Sequence, residues 1–357
     1  TKKYDLLPGN NFIEKQLEIK CSNKKQIFNY IDLDSFSLSE SDAQKSWTHP
    51  NLEEYPYSLL SPFIINLGQP IYINSFFTGC LFPLTDNAIE NRVSHIRYHT
   101  GKSFENLLND NAITEGQDIN AYYCWKTIFG AARSSRQEII RNDLFEYIST
   151  ISVPTTFRKQ YNSWYDWMLN IDESNILESF KEIENGFNRY GVPPLDSYVV
   201  DDGWNNYNSL KYNVFDEKSS GTTYNNDGFW TFNSKFPQGL TRPSDFTNRI
   251  SSSFGVWLGP RGGYVTPGQF WKGIEDAKNG YYNAQSNDVD VGSIKYINKI
   301  DTFLSNWINE YKVNYLKLDG FASKACTNEN HDHMVGGPDG IYYFTDLWER
   351  YIQVFDH

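Results

Sequence analysis

A change of pattern after Val153-Pro154 predicts an α/β fold in two parts. Residues 1–152 read as a mostly β, sandwich-like domain, and residues 153–357 as the first four βα units of a (β/α)8 TIM barrel. Three observations carry this. The first part lacks sustained helical periodicity and consists of short alternating or aromatic runs. The second part repeats a short apolar strand followed by an amphipathic helix, and such alternation gives a parallel sheet with right-handed crossovers. The strands of the second part also end on charged or aromatic residues followed by long loops, and a βα barrel keeps its chemistry at that end.

In the first part, Gln26 to Leu33, Phe63 to Leu67, Ile71 to Phe77 and Arg92 to Tyr98 read as strands, separated by turn-rich stretches such as Leu67-Gly68-Gln69-Pro70. Asn111 to Asn120 is polar and reads as a loop; Ser134 to Ser149 fits either a strand or a short helix. In the second part, Phe157 to Trp167 reads as the first strand. Asp172 opens a helix whose Ile176, Phe180, Ile183 and Phe187 share one face, and Gly191 ends it. Leu195 to Val200 is the second strand, stopping at Asp201-Asp202-Gly203-Trp204. An Asn/Ser/Tyr-rich loop runs to about Gly239 before a helix over Pro243 to Ser252; it is far longer than an ordinary connection. Phe254 to Leu258, halted by Gly259-Pro260, is the third strand. After another long loop, Ile297, Ile300, Leu304, Trp307 and Tyr311 mark a helix that feeds the fourth strand, and Phe344, Leu347, Trp348 and Tyr351 begin a fourth helix.

The fourth strand, Val313 to Phe321, has the composition of a parallel strand buried on both faces: a β-branched start, Tyr315, Leu316 and Leu318, and a glycine stop. Lys317 and Asp319 interrupt it at i and i+2, hence on one side. Charges so placed either face a polar cavity or serve as a helix cap and its ion pair, and both readings fit this stretch alone.

Composition narrows the partners. The chain of 357 residues carries a formal net charge of -12 with pI near 5.0, which argues against nucleic acid and anionic membrane surfaces as partners, since both demand a basic patch. A neutral substrate is compatible. No apolar run approaches the length of a membrane span, so no membrane insertion is expected, and Thr1-Lys2-Lys3 leads into no signal-peptide core. The compartment stays open, with a secreted or cell-surface setting favoured over the cytoplasm. Cys21, Cys80, Cys124 and Cys326 are far apart and show no CxxC spacing, which suggests neither zinc nor a disulfide framework. His331-Asp332-His333 is half of a metal site by spacing, but a lone H-x-H in a polar loop is more often solvated, so no metal and no cofactor are assigned. Cys326 reads as a packed thiol; Asp166, Asp196 and Asp290 are strand-end or loop carboxylates without a role.

Three strand ends concentrate the chemistry: Asn162-Ser163-Trp164-Tyr165-Asp166-Trp167, Asp201-Asp202-Gly203-Trp204 and Lys317-Leu318-Asp319. Paired carboxylates, a lysine and flat aromatics are what a neutral sugar needs: hydrogen-bonding groups for vicinal hydroxyls and an apolar wall for its C–H face. Phosphate-binding glycine loops and a Ser/His/Asp order are missing. The Asp201-Asp202 pair alone would read as an ordinary turn.

From about Asn162 to Phe321, through "NSWYDW", "YVVDDGW", "FNSKFPQGL", "FGVWLGP" and "NYLKLDG" in that order, the sequence resembles the clan of α-galactosidases and α-N-acetylgalactosaminidases, most closely its melibiase and raffinose-synthase-like branch. "SFFTGCLFPL" (Ser75 to Leu84) is similar to that branch's N-terminal β-sandwich. The resemblance implies a retaining exo-α-glycosidase acting on terminal α-linked galactose or N-acetylgalactosamine. It implies Asp319 as nucleophile and Asp201 and Asp202 as ligands of the sugar's 4- and 6-hydroxyls. Lys317 would reach the 3- and 4-hydroxyls, and Trp164, Trp204 and Trp257 would line the pocket. Two departures stand out: Leu318 replaces a frequent Trp, and Phe321 replaces an Asn expected near the 2-substituent, which leaves room for a 2-acetamido group. Gly259 and Arg261 stand where acidic residues are common, and Arg261 joins the substrate-binding set. The resemblance puts the acid/base on a sixth strand that this chain does not contain, so the chain is expected to need the remaining half of the barrel. Two rivals remain: a raffinose-synthase-type transglycosylase and a noncatalytic carbohydrate-binding relative.

Overall fold

The structure, a computed structural model, describes residues 1–6, 9–48, 64, 67–110, 117–205, 230, 232–260, 282–286, 288–319 and 324–355. The chain divides into two compact units, Thr1–Pro154 with Met334–Glu349, and Thr155–His333 with Arg350–His357.

The first unit is β-rich. Lys2–Asp5, Phe12–Ile19, Thr127–Ala131, Phe76–Cys80, Ile71–Ile73 and Ser46–Trp47 lie side by side in that order, with Tyr122–Tyr123 also paired to Phe12–Ile19. Ile27–Ser37, Val93–Ser103 and Asp86–Glu90 form a second antiparallel sheet, and Phe36 of this sheet meets Phe129 of the other edge-on at 5.8 Å. The run read as one strand over Ile71 to Phe77 is a hairpin, broken where Asn74 takes φ +50°, a conformation that asparagine tolerates better than most residues. The expected strand at Phe63 to Leu67 falls mostly outside the described residues, as does most of the Asn111 to Asn120 loop.

Ser134 to Ser149 settles as helix, Gln137–Ile151. Its Ile140, Leu144 and Tyr147, at i, i+4 and i+7, pack with Phe12, Tyr72, Phe77 and Ile128, so the sheet supplies the apolar partner that the isolated segment lacks. The unit also encloses a cation among several carboxylates. Lys102, 4% exposed, lies within 2.7 Å of Asp110 and 2.8 Å of both Asp346 and Glu349. Burial pulls the Lys102 ammonium toward neutrality, but Glu349, Asp346 and Asp110 outweigh that and hold its pKa above the usual lysine value.

In the second unit, β1 (Gln160–Asn162), β2 (Ser197–Val200), β3 (Ser253–Leu258) and β4 (Val313–Leu318) form one parallel sheet in chain order. Helices α1 (Glu173–Arg189), α2 (Thr241–Arg249) and α3 (Ile294–Tyr311) connect them. α1 starts where predicted because Asp172 builds a capping box: its carboxylate accepts the Asn175 N–H at 2.8 Å, and its own N–H donates to Asn175 Oδ1 at 2.8 Å. It ends before Gly191, at φ +65°.

Two expectations need correction. The first strand keeps only three of the residues read from Phe157 to Trp167. Asn162 Oδ1 accepts the Trp164 N–H at 2.9 Å and Ser163 O accepts the Trp167 N–H at 2.9 Å, which turns Trp164–Trp167 into a helical turn. β4 is not buried on both faces. Only Val313 is buried and Tyr315 to Leu318 are half-buried, because among the described residues β4 pairs on one side only, with β3. The central β2, by contrast, is buried throughout. The four strands form an open sheet. Among the described residues no helix is long and apolar enough to cross a membrane.

Candidate sugar-binding face of the parallel sheet

Register decides which strand-end residues meet. Val199 pairs with Gly255, Gly255 with Tyr315, and Trp257 with Lys317. Side chains alternate, so Val199, Gly255, Trp257, Tyr315 and Lys317 share one face; Asp201 and Asp319, each two residues further on, continue it past the strand ends. The opposite face belongs to the helices: Tyr198 packs on Phe180 of α1 with ring centroids 4.8 Å apart.

On the shared face Lys317 Nζ donates to Asp201 Oδ2 at 2.7 Å. The Asp201 side chain is 2% exposed and that of Lys317 34%, so the carboxylate is held inside while the ammonium reaches solvent. Asp201 is fixed from two more directions. Its N–H donates to Ser163 Oγ at 2.8 Å, and its Oδ1 accepts the Asp202 N–H at 2.8 Å. The chain then turns at Gly203, where φ is +123° and a Cβ would lie 2.6 Å from Ile171 Cγ1 and 2.8 Å from Leu169 O; only glycine fits. Beside this pair, Trp257 Nε1 donates to Asp319 Oδ2 at 3.4 Å, and the Asp319 N–H donates to Leu258 O at 3.2 Å. Asp319 is exposed.

Asp201, Lys317, Trp257 and Asp319 are thus brought together, from three different strands. Other sequence-predicted members fall elsewhere. Trp204 is a correction: it is fully buried, its ring 4.8 Å from Trp307 and 5.4 Å from Phe232, and its Nε1 donates to Trp257 O at 3.1 Å. It is core packing behind the sheet rather than a wall in front of it. Asp202 is buried and its Oδ1 accepts the Gly203 N–H at 2.7 Å, so this oxygen shapes the turn. Trp164 is half-buried at the start of the helical turn after β1. Arg261 and Phe321 lie outside the described residues. Ser163, which anchors the backbone of Asp201, was missed as a positioning residue; a hydroxyl at the end of the neighbouring strand is the signal that could have found it.

The carboxylates without an assigned role divide. Asp166 accepts the Tyr161 hydroxyl at 2.9 Å, a local tie, and Asp196 accepts the Lys159 N–H at 2.7 Å, joining the starts of β1 and β2. Asp290 instead meets Cys326 and the His331/His333 pair, which is buried here rather than solvated as its polar loop suggested. None of the four cysteines forms a disulfide, and burial pushes the Cys80 and Cys124 thiols up to about 12, so neither is a nucleophile near neutral pH.

No family model and no curated protein matches the chain in sequence. Among solved structures it is similar to the GH36 α-galactosidase AgaB from Geobacillus stearothermophilus, with TM-score 0.51 and 11% identity over 99% of this chain and 50% of that one. A variant of AgaA from the same organism, in complex with 1-deoxygalactonojirimycin, gives TM-score 0.51 and 12% identity over 99% of this chain and 51% of that one. A further AgaA variant, in complex with raffinose, gives TM-score 0.51 and 11% identity, with 99% and 51% covered. The chain therefore spans about half the length of these structures. At such identity the likeness is one of architecture, and what it establishes is an α-galactosidase-like fold.

Proposed function

We propose that this chain supplies the β-rich domain and the first four βα units of a (β/α)8 retaining exo-α-glycosidase, acting on terminal α-linked galactose or N-acetylgalactosamine. The observation that carries the reading is the single sheet face on which Lys317 holds Asp201 at 2.7 Å beside the Trp257–Asp319 contact. A sugar lying there would find a buried carboxylate and an ammonium for adjacent hydroxyls and an indole for its C–H surface. Asp319 is the exposed carboxylate of the set, available to a substrate. As nucleophile its oxygen forms a bond to the anomeric carbon while the glycosidic C–O bond breaks, and the leaving oxygen takes a proton from a second carboxylic acid. Water, deprotonated by that same group, then releases the sugar with its configuration retained. By the family resemblance, that second carboxylate would sit on a sixth strand of the barrel.

The test is a comparison of matched aryl α-galactoside, its 2-acetamido analogue and the α-glucoside on the complete enzyme, with the product anomer followed by NMR. Asp201, held from three directions, is built to accept a hydroxyl, and a site of that kind can reject the wrong epimer by about 10⁴-fold. Retention with strong preference for one galacto-configured substrate is expected. Equal kcat/KM on the gluco substrate, or an inverted product, would overturn the assignment.

A further inference from the structure

Asp290 lies in the turn before α3, while Cys326, His331 and His333 lie in the loop after β4. One potential ligand atom from each comes within 4.8 Å of all the others, and all four residues are buried. Asp290 Oδ2 is 2.6 Å from His331 Nδ1 and 2.8 Å from His333 Nε2, and Cys326 Sγ is 3.5 Å from His331 Nδ1.

We propose that these four side chains bind one divalent transition metal of the zinc class in a closed tetrahedral site. Sulfur, two imidazole nitrogens and a carboxylate oxygen are the donors that such ions select, whereas magnesium and calcium take oxygen. With metal–N and metal–O bonds of about 2.0–2.2 Å and metal–S of about 2.3 Å, a tetrahedron sets its donors about 3.3–3.6 Å apart. The Cys326–His331 separation already fits, and the two Asp290–histidine contacts open by roughly 0.5–1 Å. Charge argues the same way. A thiolate, a carboxylate and two neutral imidazoles around a divalent ion sum to zero, the arrangement that costs least in a site closed to water.

Binding displaces the Cys326 thiol proton to solvent, and the imidazole protons that face Asp290 on the two ligating nitrogens move by exchange with solvent to His333 Nδ1 and His331 Nε2. Nε2 is 2.9 Å from Asn328 Nδ2, so the Asn328 carboxamide turns its oxygen to accept that proton, giving up the Asn330 N–H it accepts at 3.1 Å. The surrounding frame suits a structural role. Asn283 Nδ2 donates to Lys324 O at 2.8 Å and the Ile294 N–H to Asp332 Oδ1 at 2.9 Å, so the same two segments are tied on either side of the cluster. With four protein ligands the site has no open position for substrate. The metal fastens the loop that follows Asp319 to the start of α3, and the proposal stands whether or not the chain is a glycosidase.

The test uses the full chain without a histidine tag. After exhaustive dialysis, elemental analysis should find one zinc per chain, and exchange with cobalt should give the intense visible bands of a tetrahedral site with a thiolate-to-cobalt charge-transfer band. Cys326→Ser should remove the charge-transfer band. A strong chelator should lower Tm, and zinc, not magnesium, should restore it; this arm needs no variant to fold. Metal lost on dialysis, no tetrahedral cobalt spectrum, or a Tm indifferent to chelator and zinc would each overturn the proposal and leave the cluster as a histidine–aspartate hydrogen-bond network.

Discussion

Replacing Lys317 by Met would leave Asp201, with a side chain 2% exposed, without the cation 2.7 Å away. Removing one partner of a fully buried ion pair costs about 3–5 kcal/mol. An exposed pair is worth about 0–1 kcal/mol, and the Lys317 side chain, 34% exposed, is partly screened by water. The expected cost therefore lies between these limits, at about 1–3 kcal/mol. In a unit of this size each kcal/mol moves Tm by about 2–4 °C, so Lys317→Met should melt roughly 2–12 °C lower. Asp201→Asn tests the other partner, because the carboxamide keeps an oxygen for the Asp202 N–H while losing the charge. Calorimetry on the two single variants and the double variant closes a cycle, in which the double variant should lose clearly less than the sum. Additivity within about 0.3 kcal/mol would show that the pair contributes nothing, and the shared face of the sheet would lose its organising contact.

On the proposed function, Asp319→Asn should keep sugar binding while lowering kcat by roughly 10⁴-fold or more; normal turnover would remove Asp319 from the chemistry. Lys102→Met orphans three carboxylates around a site 4% exposed and should cost the first unit about 3–5 kcal/mol, read as a lower Tm. Because the Lys102 pKa is raised in the folded state, its contribution is whole below the ordinary lysine value and fades only as pH rises through the folded one. Cys80 and Cys124 titrate near 12 when folded against an ordinary value of 9.0, so above that value the unfolded chain ionises first and stability falls as pH rises toward 12. Urea midpoints at about pH 8 and about pH 10 should show that fall, and a double Cys→Ala variant should show less of it. Both thiols should resist alkylation in the native protein near neutral pH.

Much of the fold is visible in local spacing. Asp172 and Gly191 bracket α1 because a capping box and a left-handed stop are properties of neighbouring residues. Where spacing is blurred, reading fails. Gln137–Ile151 carries Phe145, Ile148 and Ile151 on its exposed side as well as Ile140, Leu144 and Tyr147 inside, so no single apolar stripe marks it as helix. Phe157 and Tyr165 suggest a strand by type, yet they are 89% and 90% exposed, and the local bonds of Asn162 and Ser163 end β1 between them. At the site, Asp201, Lys317 and Trp257 are legible as strand-end residues, since parity along a strand is fixed by the pleat. Trp204 keeps the parity of Tyr198 and Val200 and so lies on the helix side, where it packs on Trp307; only the family resemblance suggested it as a pocket wall. Asp290 could not be joined to His331 and His333 by any local rule; 41 and 43 residues separate them.

Alternation in the parallel sheet also shapes how such a protein can diverge. On the two central strands, residues of one parity, Tyr198 and Phe254 among them, are wholly buried and are constrained mainly by volume and apolarity, a demand that many side chains meet. Those of the other parity, Trp257, Lys317 and the adjoining Asp201 and Asp319, carry hydrogen bonds that only a few side chains can make. Drift can therefore exchange most of the packing letters and leave the backbone standing, as an architecture shared at 11% identity illustrates. A new specificity, by contrast, needs changes at a handful of second-parity positions, and these can be sampled without reopening the helix side of the sheet.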